Sequence, residues 1–453
     1  MIFDTQEGEF LPILPIPPRS ISAKKPDPFN AINEVRNNQL MFRGNDAQSN
    51  NETIRGMAID MSVYCQPMND SYDNAVDWNR RRYDCYTKLN KTLQTDGFAL
   101  VRGFGVSTHL CNNALRAARS FLHEADESVR RSCLTKDRAR RGYAPMSTEN
   151  FASLIGEQGP NDLVKKFRIG PEPNNNNTNY GLLQQQSQPI SSLHQPNEWP
   201  TEECWDKNKA QFFKSTIKEY FNTICKVADC TLRAICDGII AENENADIEQ
   251  SIRVLSESLS TDYSDVGHGN ESKNHTSILT LLGYHPGSRH KKGHRAYMRP
   301  LVSAHTDVGV ITVLHFDGGK CAKLERAGNN STPYNNNIIS TENIEWIEVD
   351  LPLLDDDDDP VFVVNVGDCL AELSGGTLRS TLHRVMPRPC IQSFEHEIDS
   401  EAAAAPRTCL ALFVGLEPST SLRLPHSGGE VVSYEEWRRQ RIARATAVKK
   451  QDK

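Results

Sequence analysis

The strongest constraint in this sequence is a change of pattern at about Thr276, after which short extended segments replace helical periodicity. The segments are rich in apolar and β-branched residues and are separated by Gly, Pro and polar turns. In chain order they are ILTLLGYH, GVITVLHF, WIEVD, PVFVVNVGDCL, STLHRVM and TCLALFVGL. Many short strands at this spacing are typical of a β-sandwich or a β-barrel, including the jelly roll. We therefore predict an all-β second half.

The first half of the chain has helical patterns instead. We predict a helix over Trp78–Thr95, a buried strand within 97–104, and a second helix with Ser107 or Thr108 as its N-cap. The longest helical pattern spans 207–241, and its apolar residues recur at spacings of three and four. This spacing predicts a stripe that packs into the core, formed by Phe213, Ile217, Tyr220, Phe221, Ile224, Val227, Ala228, Leu232 and Ile235.

Polar stretches separate these patterns and suggest the domain order. We expect an extended or disordered arm at 1–55, a helix-rich region at 56–241 with a low-complexity insert at about 171–196, a linker or insert at 242–274, a β domain at 275–425, and a basic C-terminal helix at 426–453. Runs such as Asn174–Asn177, Asn335–Asn337 and Asp355–Asp359 bury too little apolar surface to offset the entropy of ordering. We therefore expect these three runs to lie outside the core.

Charge and composition exclude several classes of function. The chain has 51 Lys and Arg residues against 59 Asp and Glu residues, and a net charge of −8 disfavours general nucleic-acid binding. The basic run Arg438 to Lys450 fits a solvated helix face.

No segment approaches the ~20 apolar residues of a membrane span, and the N-terminus is acidic where a secretory signal is basic. The 12 cysteines are scattered without a C-x-x-C pair, which favours free thiols in a reducing compartment. We expect a cytoplasmic monomer with no nucleic-acid or membrane partner.

His305, Asp307 and His383 form a candidate metal site. His305 and Asp307 are two residues apart beside a predicted strand, so both side chains can project to the same side. Two imidazoles and one carboxylate on one face of a metal leave the opposite positions open, an arrangement that suits non-haem Fe(II). H-x-D alone is a weak signal, since it also occurs by chance. Asp368 and Glu372 are candidates for orienting His383.

The remaining histidines offer one competing metal site. His285, His290 and His294 lie in GYHPGSRHKKGHR, but that stretch is cationic and turn-rich, which disfavours a bound cation. His315 lies in a strand-like run and is interpreted as packing. Neither alternative is excluded by spacing alone.

Several motifs in a fixed order resemble one family. They are Ala304–Leu314 followed by Gly318-Gly319, Trp346-Ile347, Val364–Asp368, Leu373–Val385 and Arg407–Cys409, with Asp96–Phe98, Arg141–Tyr143 and Asn197–Pro200 upstream. Together they resemble the 2-oxoglutarate/Fe(II)-dependent oxygenases, in the branch that contains isopenicillin N synthase and the plant flavonoid and gibberellin oxygenases. The resemblance covers roughly residues 57–425.

The resemblance implies a mixed α+β fold with a double-stranded β-helix (jelly-roll) core and supporting helices in the N-terminal half. It implies Fe(II) held by the H-x-D…H set, 2-oxoglutarate as cosubstrate, and O₂. Arg407 would pair with the distal carboxylate of 2-oxoglutarate, and Cys409, Tyr284 and His285 would line the cosubstrate pocket. Cys409 stands where the family has Ser, and His285 stands where it often has Tyr, so two hydroxyl donors are replaced.

The function that the resemblance implies is oxidation of a small organic molecule, by hydroxylation or desaturation, with release of succinate and CO₂. Two alternatives stay open. One is an oxidase of the isopenicillin N synthase type, which takes all its electrons from the substrate. The other is a metal-binding module without catalytic activity.

Overall fold

The computed structural model describes only part of the chain. Its residues belong to the compact unit Asn51–Lys453 and are 57–65, 72–136, 141–157, 159–171, 196–243, 245–259, 275–285, 299–318, 321–328, 344–349, 359–388, 405–425 and 430–451. The predicted arm at 1–55 and the asparagine runs at 174–177 and 335–337 lie outside them. Of the aspartate run 355–359 only Asp359 is described, and its carboxylate accepts a hydrogen bond of 2.7 Å from the backbone N–H of Gly103.

The helices lie mainly in the first half. They are α1 (Ser62–Cys65), α2 (Tyr72–Thr95), α3 (Thr108–Arg119), α4 (Glu127–Ser132), α5 (Lys207–Glu242), α6 (Ala246–Leu259), α7 (Asp368–Leu373) and α8 (Tyr434–Gln451), with a π-helical turn at Ser120–Glu124 and a 3₁₀ turn at Phe151–Ile155. The predicted helices in 78–95 and 207–241 are confirmed. Ser107 precedes α3 as predicted, but its side chain makes no capping hydrogen bond.

The strands are concentrated in the second half. They are β1 (Ile59–Asp60), β2 (Phe98–Arg102), β3 (Gly142–Ala144), β4 (Val164–Ile169), β5 (Ile278–Tyr284), β6 (Val302–His305), β7 (Ile311–Phe316), β8 (Ala322–Ala327), β9 (Trp346–Val349), β10 (Phe362–Val366), β11 (His383–Pro387), β12 (Arg407–Phe413), β13 (Ser421–Leu424) and β14 (Glu430–Ser433). All the predicted strand segments contain a strand, although GDCL after β10 turns into α7.

Two sheets dominate this mixed α+β fold. The eight-stranded sheet has the order β1-β2-β10-β7-β12-β5-β4-β3, the four-stranded sheet has the order β6-β11-β8-β9, and β13 pairs with β14. Strands β5, β7 and β12 of the large sheet and β6, β8 and β11 of the small sheet contribute side chains to a single cavity. The cavity therefore lies between the two sheets.

The long helix α5 docks on the outer face of the large sheet. All nine residues of the predicted apolar stripe are buried. Phe213 is at the centre of an aromatic cluster, because its ring stacks on Phe121 at 4.8 Å and meets Phe167 of β4 at 5.1 Å. Trp199 and Trp205 close the cluster at 5.9 and 5.8 Å from Phe213. Aromatic contacts of this kind add specific geometry to a large buried apolar area.

Two polar-looking segments differ from expectation. Part of the stretch 242–274 is the helix α6, which buries Ile248, Ile252 and Leu255 at helical spacing. The helix predicted at 426–453 begins only at Tyr434, because Glu430–Ser433 is strand β14, and α8 buries Trp437 and Arg441 rather than presenting a fully solvated surface. In both cases a few apolar positions are enough to dock a helix whose mean composition is polar.

The described residues agree with two further sequence-based expectations. Every cysteine among them is a free thiol. None of the helices in these ranges combines the length and the apolar character that crossing a bilayer demands.

Removal of the Phe213 ring tests the aromatic cluster. Phe213→Ala should lower the free energy of unfolding by about 3–5 kcal/mol, because a fully buried phenyl leaves a cavity. Urea denaturation followed by circular dichroism measures this. Glu219→Ala, at an exposed position of the same helix, should change it by less than about 0.5 kcal/mol. Equal effects of the two substitutions would contradict the described packing.

Candidate metal centre

The three predicted ligands meet because β6 and β11 are neighbouring antiparallel strands. His383 lies directly opposite His305 in the register of this pair, and Asp307 follows β6 by two residues. The Nε2 atoms of His305 and His383 lie 3.8 and 4.0 Å from Oδ1 of Asp307. The three candidate ligand atoms all lie within 4.8 Å of one another. Among the described residues this is the single cluster of three or more His, Cys, Asp and Glu side chains with such spacing.

Both imidazoles are oriented by backbone carbonyls of their own strands. His305 Nδ1 lies 2.8 Å from the carbonyl oxygen of Ser303, and His383 Nδ1 lies 3.0 Å from that of Thr381. A carbonyl oxygen only accepts hydrogen bonds, so each ring carries its proton on Nδ1 and keeps the Nε2 lone pair for the centre of the cluster. This is the usual way of fixing the tautomer of a metal-ligating histidine.

Asp307 divides its two oxygens between support and the cluster. Oδ2 accepts hydrogen bonds from Thr312 Oγ1 at 2.5 Å and Asn365 Nδ2 at 2.7 Å. Oδ1 faces the two imidazoles. Burial by itself would raise the pKa of Asp307, but the two imidazoles and these two hydrogen bonds hold it below its usual value. The carboxylate is therefore ionised and anionic at neutral pH.

The cluster is buried and has aromatic rings against both histidines. All three side chains are buried, and burial lowers the pKa of His305 to about 3, which keeps that imidazole neutral. Phe151 of the 3₁₀ turn stacks on His305 at 4.7 Å, and Phe98 of β2 meets His383 edge-on at 5.5 Å. A buried, ionised carboxylate beside two imidazole nitrogens is a setting in which a bound cation would compensate the negative charge of Asp307.

Asp368 and Glu372 do not orient His383, contrary to the sequence-based expectation. The Asp368 carboxylate accepts hydrogen bonds from Ser380 Oγ at 2.6 Å and Thr306 Oγ1 at 3.2 Å. Glu372 accepts from the indole N–H of Trp437 at 2.8 Å. The Nδ1 atom of His383 is already bonded to the carbonyl oxygen of Thr381, and the Asp368 carboxylate is bonded to Thr306, Ser380 and Arg441 instead.

Arg407, Cys409 and Tyr284 line the same cavity as the cluster. Arg407 opens β12 opposite Tyr284 on β5, and Cys409 lies two residues further along the same face. The buried Arg407 guanidinium donates to the carbonyl oxygen of Ala322 at 2.6 Å and lies 4.0 Å from the centre of the Phe316 ring. Burial raises the pKa of the Cys409 thiol to about 12, so it is a neutral S–H group at physiological pH. The cavity thus holds a buried cation opposite the His-Asp-His cluster.

His285 does not line this cavity. Successive residues of a strand point to opposite faces, so His285 projects away from Tyr284. Its Nε2 lies 3.2 Å from Nδ1 of His123 on the outer side of the sheet. We therefore withdraw His285 from the predicted cosubstrate pocket. His290 and His294 lie outside the described residues, and the buried His315 packs against Phe362, in agreement with its interpretation as a packing residue.

Thr312, Asn365 and Phe151 are the site residues that sequence reasoning missed. Thr312 and Asn365 were both visible inside recognised motifs, as the Thr of HTDVGVIT and the Asn of VNVGD. A signal was present there, because a buried polar residue in an apolar strand requires a partner. Phe151 had no such signal, since its stacking on His305 joins two distant segments.

Part of the N-terminal half matches one family model, and about two thirds of the chain resembles curated oxygenases. A family model described as non-haem dioxygenase in morphine synthesis N-terminal matches residues 70–202. The chain is 24% identical over 306 residues to the 2-oxoglutarate-dependent dioxygenase caaD of Aspergillus niger, covering 66% of this chain and 72% of that protein. It is 23% identical over 326 residues to a homoarginine-6-hydroxylase of Arabidopsis thaliana, covering 70% and 78%.

Solved structures agree at the level of the fold. A full-length protein of Neurospora crassa, crystallised in complex with alpha-KG, superposes with a TM-score of 0.54 at 20% identity, over 85% of this chain and 95% of that chain. A putative 2OG-Fe(II) oxygenase family protein from Caulobacter crescentus superposes with a TM-score of 0.53 at 17% identity, over 81% and 95%. The ordered motifs and the buried His-Asp-His cluster accompany these likenesses, so the chain is similar in sequence and in fold to the plant-type 2-oxoglutarate/Fe(II)-dependent oxygenases.

Proposed function

We propose that this protein is an Fe(II)- and 2-oxoglutarate-dependent dioxygenase that hydroxylates or desaturates a small organic substrate. One observation carries the proposal. The His305–Asp307–His383 cluster and the Arg407 guanidinium line one largely apolar cavity. The cluster has the donor set of a non-haem iron site, and Arg407 has the fork geometry that matches a carboxylate. The cavity thus offers a partner to each end of 2-oxoglutarate: the proposed metal site for the keto-acid end and Arg407 for the distal carboxylate.

We further propose that the two facing sheets are the two sides of a jelly roll, or double-stranded β-helix. The cavity between β5, β7 and β12 on one side and β6, β8 and β11 on the other supports this assignment. In this arrangement the small sheet supplies His305 and His383, and the large sheet supplies Arg407, Cys409 and Tyr284. The histidine ligands of the proposed metal site and the proposed anchor for the cosubstrate, Arg407, then lie on opposite walls of the cavity.

His305, Asp307 and His383 would hold the iron, which supplies O₂ activation when bound. The protein groups bind, orient and exclude water. The carbonyls of Ser303 and Thr381 keep both Nε2 lone pairs directed at the metal position. Thr312 and Asn365 occupy Oδ2 of Asp307, so that Oδ1 is the oxygen left for coordination. The overall reaction consumes O₂ and 2-oxoglutarate and releases succinate and CO₂.

Arg407 is suited to anchoring the distal carboxylate of 2-oxoglutarate. Its guanidinium is fixed by the carbonyl of Ala322 and by the Phe316 ring, so little side-chain entropy is lost on binding. A buried cation also needs an anionic partner, which the cosubstrate would provide. Cys409 and Tyr284 lie on the same face and would complete that end of the pocket.

The substrate is proposed to be a small organic molecule with an apolar reacting segment. The lining of the cavity includes Phe151, Phe413, Leu314 and Ala411, which offer no charge. The relatives carry names with different substrates, among them homoarginine, and one crystal structure of the Neurospora crassa protein contains thymine. Free thiols throughout the described residues fit a cytoplasmic enzyme, and we propose that it acts as a monomer.

The metal assignment predicts stoichiometric binding. Anaerobic titration of the metal-free protein with Fe(II) should show about one ion per chain, because the described residues form one such cluster. His305→Ala and Asp307→Ala should each abolish binding and succinate formation while the circular dichroism spectrum is retained. His315→Ala, at a buried histidine outside the cavity, is the matched control. Unchanged metal content in His305→Ala would refute the assignment.

Arg407→Lys separates cosubstrate binding from substrate binding. Lysine keeps the charge but loses the planar fork, so the KM for 2-oxoglutarate should rise by roughly 10- to 100-fold, which corresponds to about 1.4–2.7 kcal/mol. The KM for the organic substrate should change much less. Arg384→Lys is the control, because Arg384 pairs with Glu325 and lies outside the cavity lining. Turnover that needs no 2-oxo acid would favour the oxidase alternative.

Cys409→Ser should strengthen cosubstrate binding. The neutral thiol is a weak donor, whereas a hydroxyl bonded to a carboxylate contributes roughly 1.5–3 kcal/mol. Recovery of about 1.4 kcal/mol would lower the dissociation constant for 2-oxoglutarate about tenfold, as measured by isothermal titration calorimetry. Cys111→Ser, a buried thiol of α3, should have no such effect on affinity. Weaker binding in Cys409→Ser would show that the pocket is shaped for sulfur rather than for a hydroxyl.

A further inference from the structure

Arg441 is a buried cation on the basic helix α8. Its exposed fraction is 6%, whereas the side chain of Arg439, two residues earlier on α8, is 74% exposed. Arg439 pairs locally with Glu436. A guanidinium is buried only where partners compensate the loss of hydration. The position of Arg441 therefore reflects what it contacts and not the general basicity of the helix.

The Arg441 guanidinium bonds to three separate parts of the chain. Its Nε and one terminal nitrogen lie 2.9 and 2.7 Å from Oδ2 of Asp368. The same terminal nitrogen lies 3.3 Å from Oγ1 of Thr306, and the other terminal nitrogen donates to the carbonyl oxygen of Leu154 at 3.0 Å. One rigid, planar group thus fixes three segments relative to one another.

Two of these contacts reach the backbone that carries the candidate ligands. Thr306 lies between His305 and Asp307 in sequence. Asp368 binds the Ser380 hydroxyl through its other oxygen at 2.6 Å, three residues before His383. The backbone N–H of Asp368 also donates to the carbonyl oxygen of Asp307 at 2.7 Å. The Asp368–Arg441 pair therefore connects the segments of all three ligands.

The third contact reaches the ring that covers the site. Leu154 belongs to the 3₁₀ turn Phe151–Ile155, whose first residue stacks on His305 at 4.7 Å. Because both ligand imidazoles are held by carbonyls of their own strands, their relative position depends on where those backbones lie. A group that fixes the backbones also fixes the distance between the two Nε2 atoms.

We propose that Arg441 is a positioning residue for the metal centre: through Asp368, Thr306 and Leu154 it holds the ligand-bearing segments at the spacing that one ion requires. The inference rests on the proposed function for the identity of the ligands. It gives the C-terminal helix a role in metal affinity, beyond packing. Groups that act behind metal ligands typically change metal affinity by about 10- to 100-fold when they are removed.

Helix α8 has a second anchor to the core, so the effect of Arg441 on the ligand segments can be tested separately from the docking of the helix. Trp437, one turn before Arg441, is fully buried, and its indole N–H donates to Glu372 Oε2 at 2.8 Å. Tyr434 stacks beside it with ring centres 6.1 Å apart. These contacts hold α8 on the core without the guanidinium. Substitution of Arg441 can therefore loosen the ligand segments while the helix stays bound.

The test measures Co(II) affinity of the metal-free protein, with Co(II) as a spectroscopic probe. Wild type, Arg441→Lys, Arg441→Met and the control Arg439→Met are titrated and followed by visible absorption. Circular dichroism and thermal melting of the metal-free forms report on the fold. Lysine can still pair with Asp368 but cannot reach Thr306 and Leu154 together. Both Arg441 variants should raise the Co(II) dissociation constant at least tenfold, Met more than Lys, and Arg439→Met should match wild type.

The outcomes distinguish this inference from the proposed function. Folded Arg441 variants that bind Co(II) within about twofold of wild type would overturn the positioning role and leave the proposed metal site intact. Wild-type protein that binds no Co(II) would overturn both. If Arg441→Met does not fold, because Asp368 is left as an unpaired buried charge, Arg441→Lys decides the question on its own.

Discussion

The antiparallel pairing of β6 with β11 is the interaction on which the site depends. It sets His305 directly opposite His383, and the turn after β6 returns Asp307 to the same position. Neither imidazole needs a charged partner to be oriented, since each uses a carbonyl of its own strand. The geometry of the ligands is thus a property of the backbone, and whatever holds the two strands in register also holds the metal centre.

Charge compensation explains the surroundings of that pairing. The cluster contains the ionised carboxylate of Asp307, Arg407 is a buried cation that lines the same cavity, and Asp368 pairs with Arg441 beside the ligand-bearing segments. Removal of one partner of a buried ion pair lowers the stability of the fold, because the other charge is left without compensation. Asp368 and Arg441 therefore restrict each other's substitution. The surroundings of the proposed iron site are therefore specified by buried charged groups as well as by apolar packing.

The comparison of sequence with structure shows where local patterns suffice. The stripe of α5 was predictable because helical spacing fixes which side chains share a face, and all its residues are buried. The ligands were predictable because H-x-D and H-R-V stand in recognisable strand contexts. The strands β1, β3, β4, β6, β8, β13 and β14 were not predicted, since short or charged segments such as VKKFRI and AKLERA form strands through their neighbours rather than through their own composition.

The sequence by itself indicated the residue types of the metal ligands and the strand-rich second half. Through the family resemblance it also indicated Arg407 as the candidate partner of a carboxylate. Only the tertiary structure decided that His285 faces His123 outside the cavity, because alternation along a strand reverses with a single residue. Only the tertiary structure placed Phe151 on His305 and Arg441 against Asp368 and Thr306. Those contacts join residues that lie 73 or more positions apart, and no local pattern encodes which distant segments will share a buried charge or a ring face.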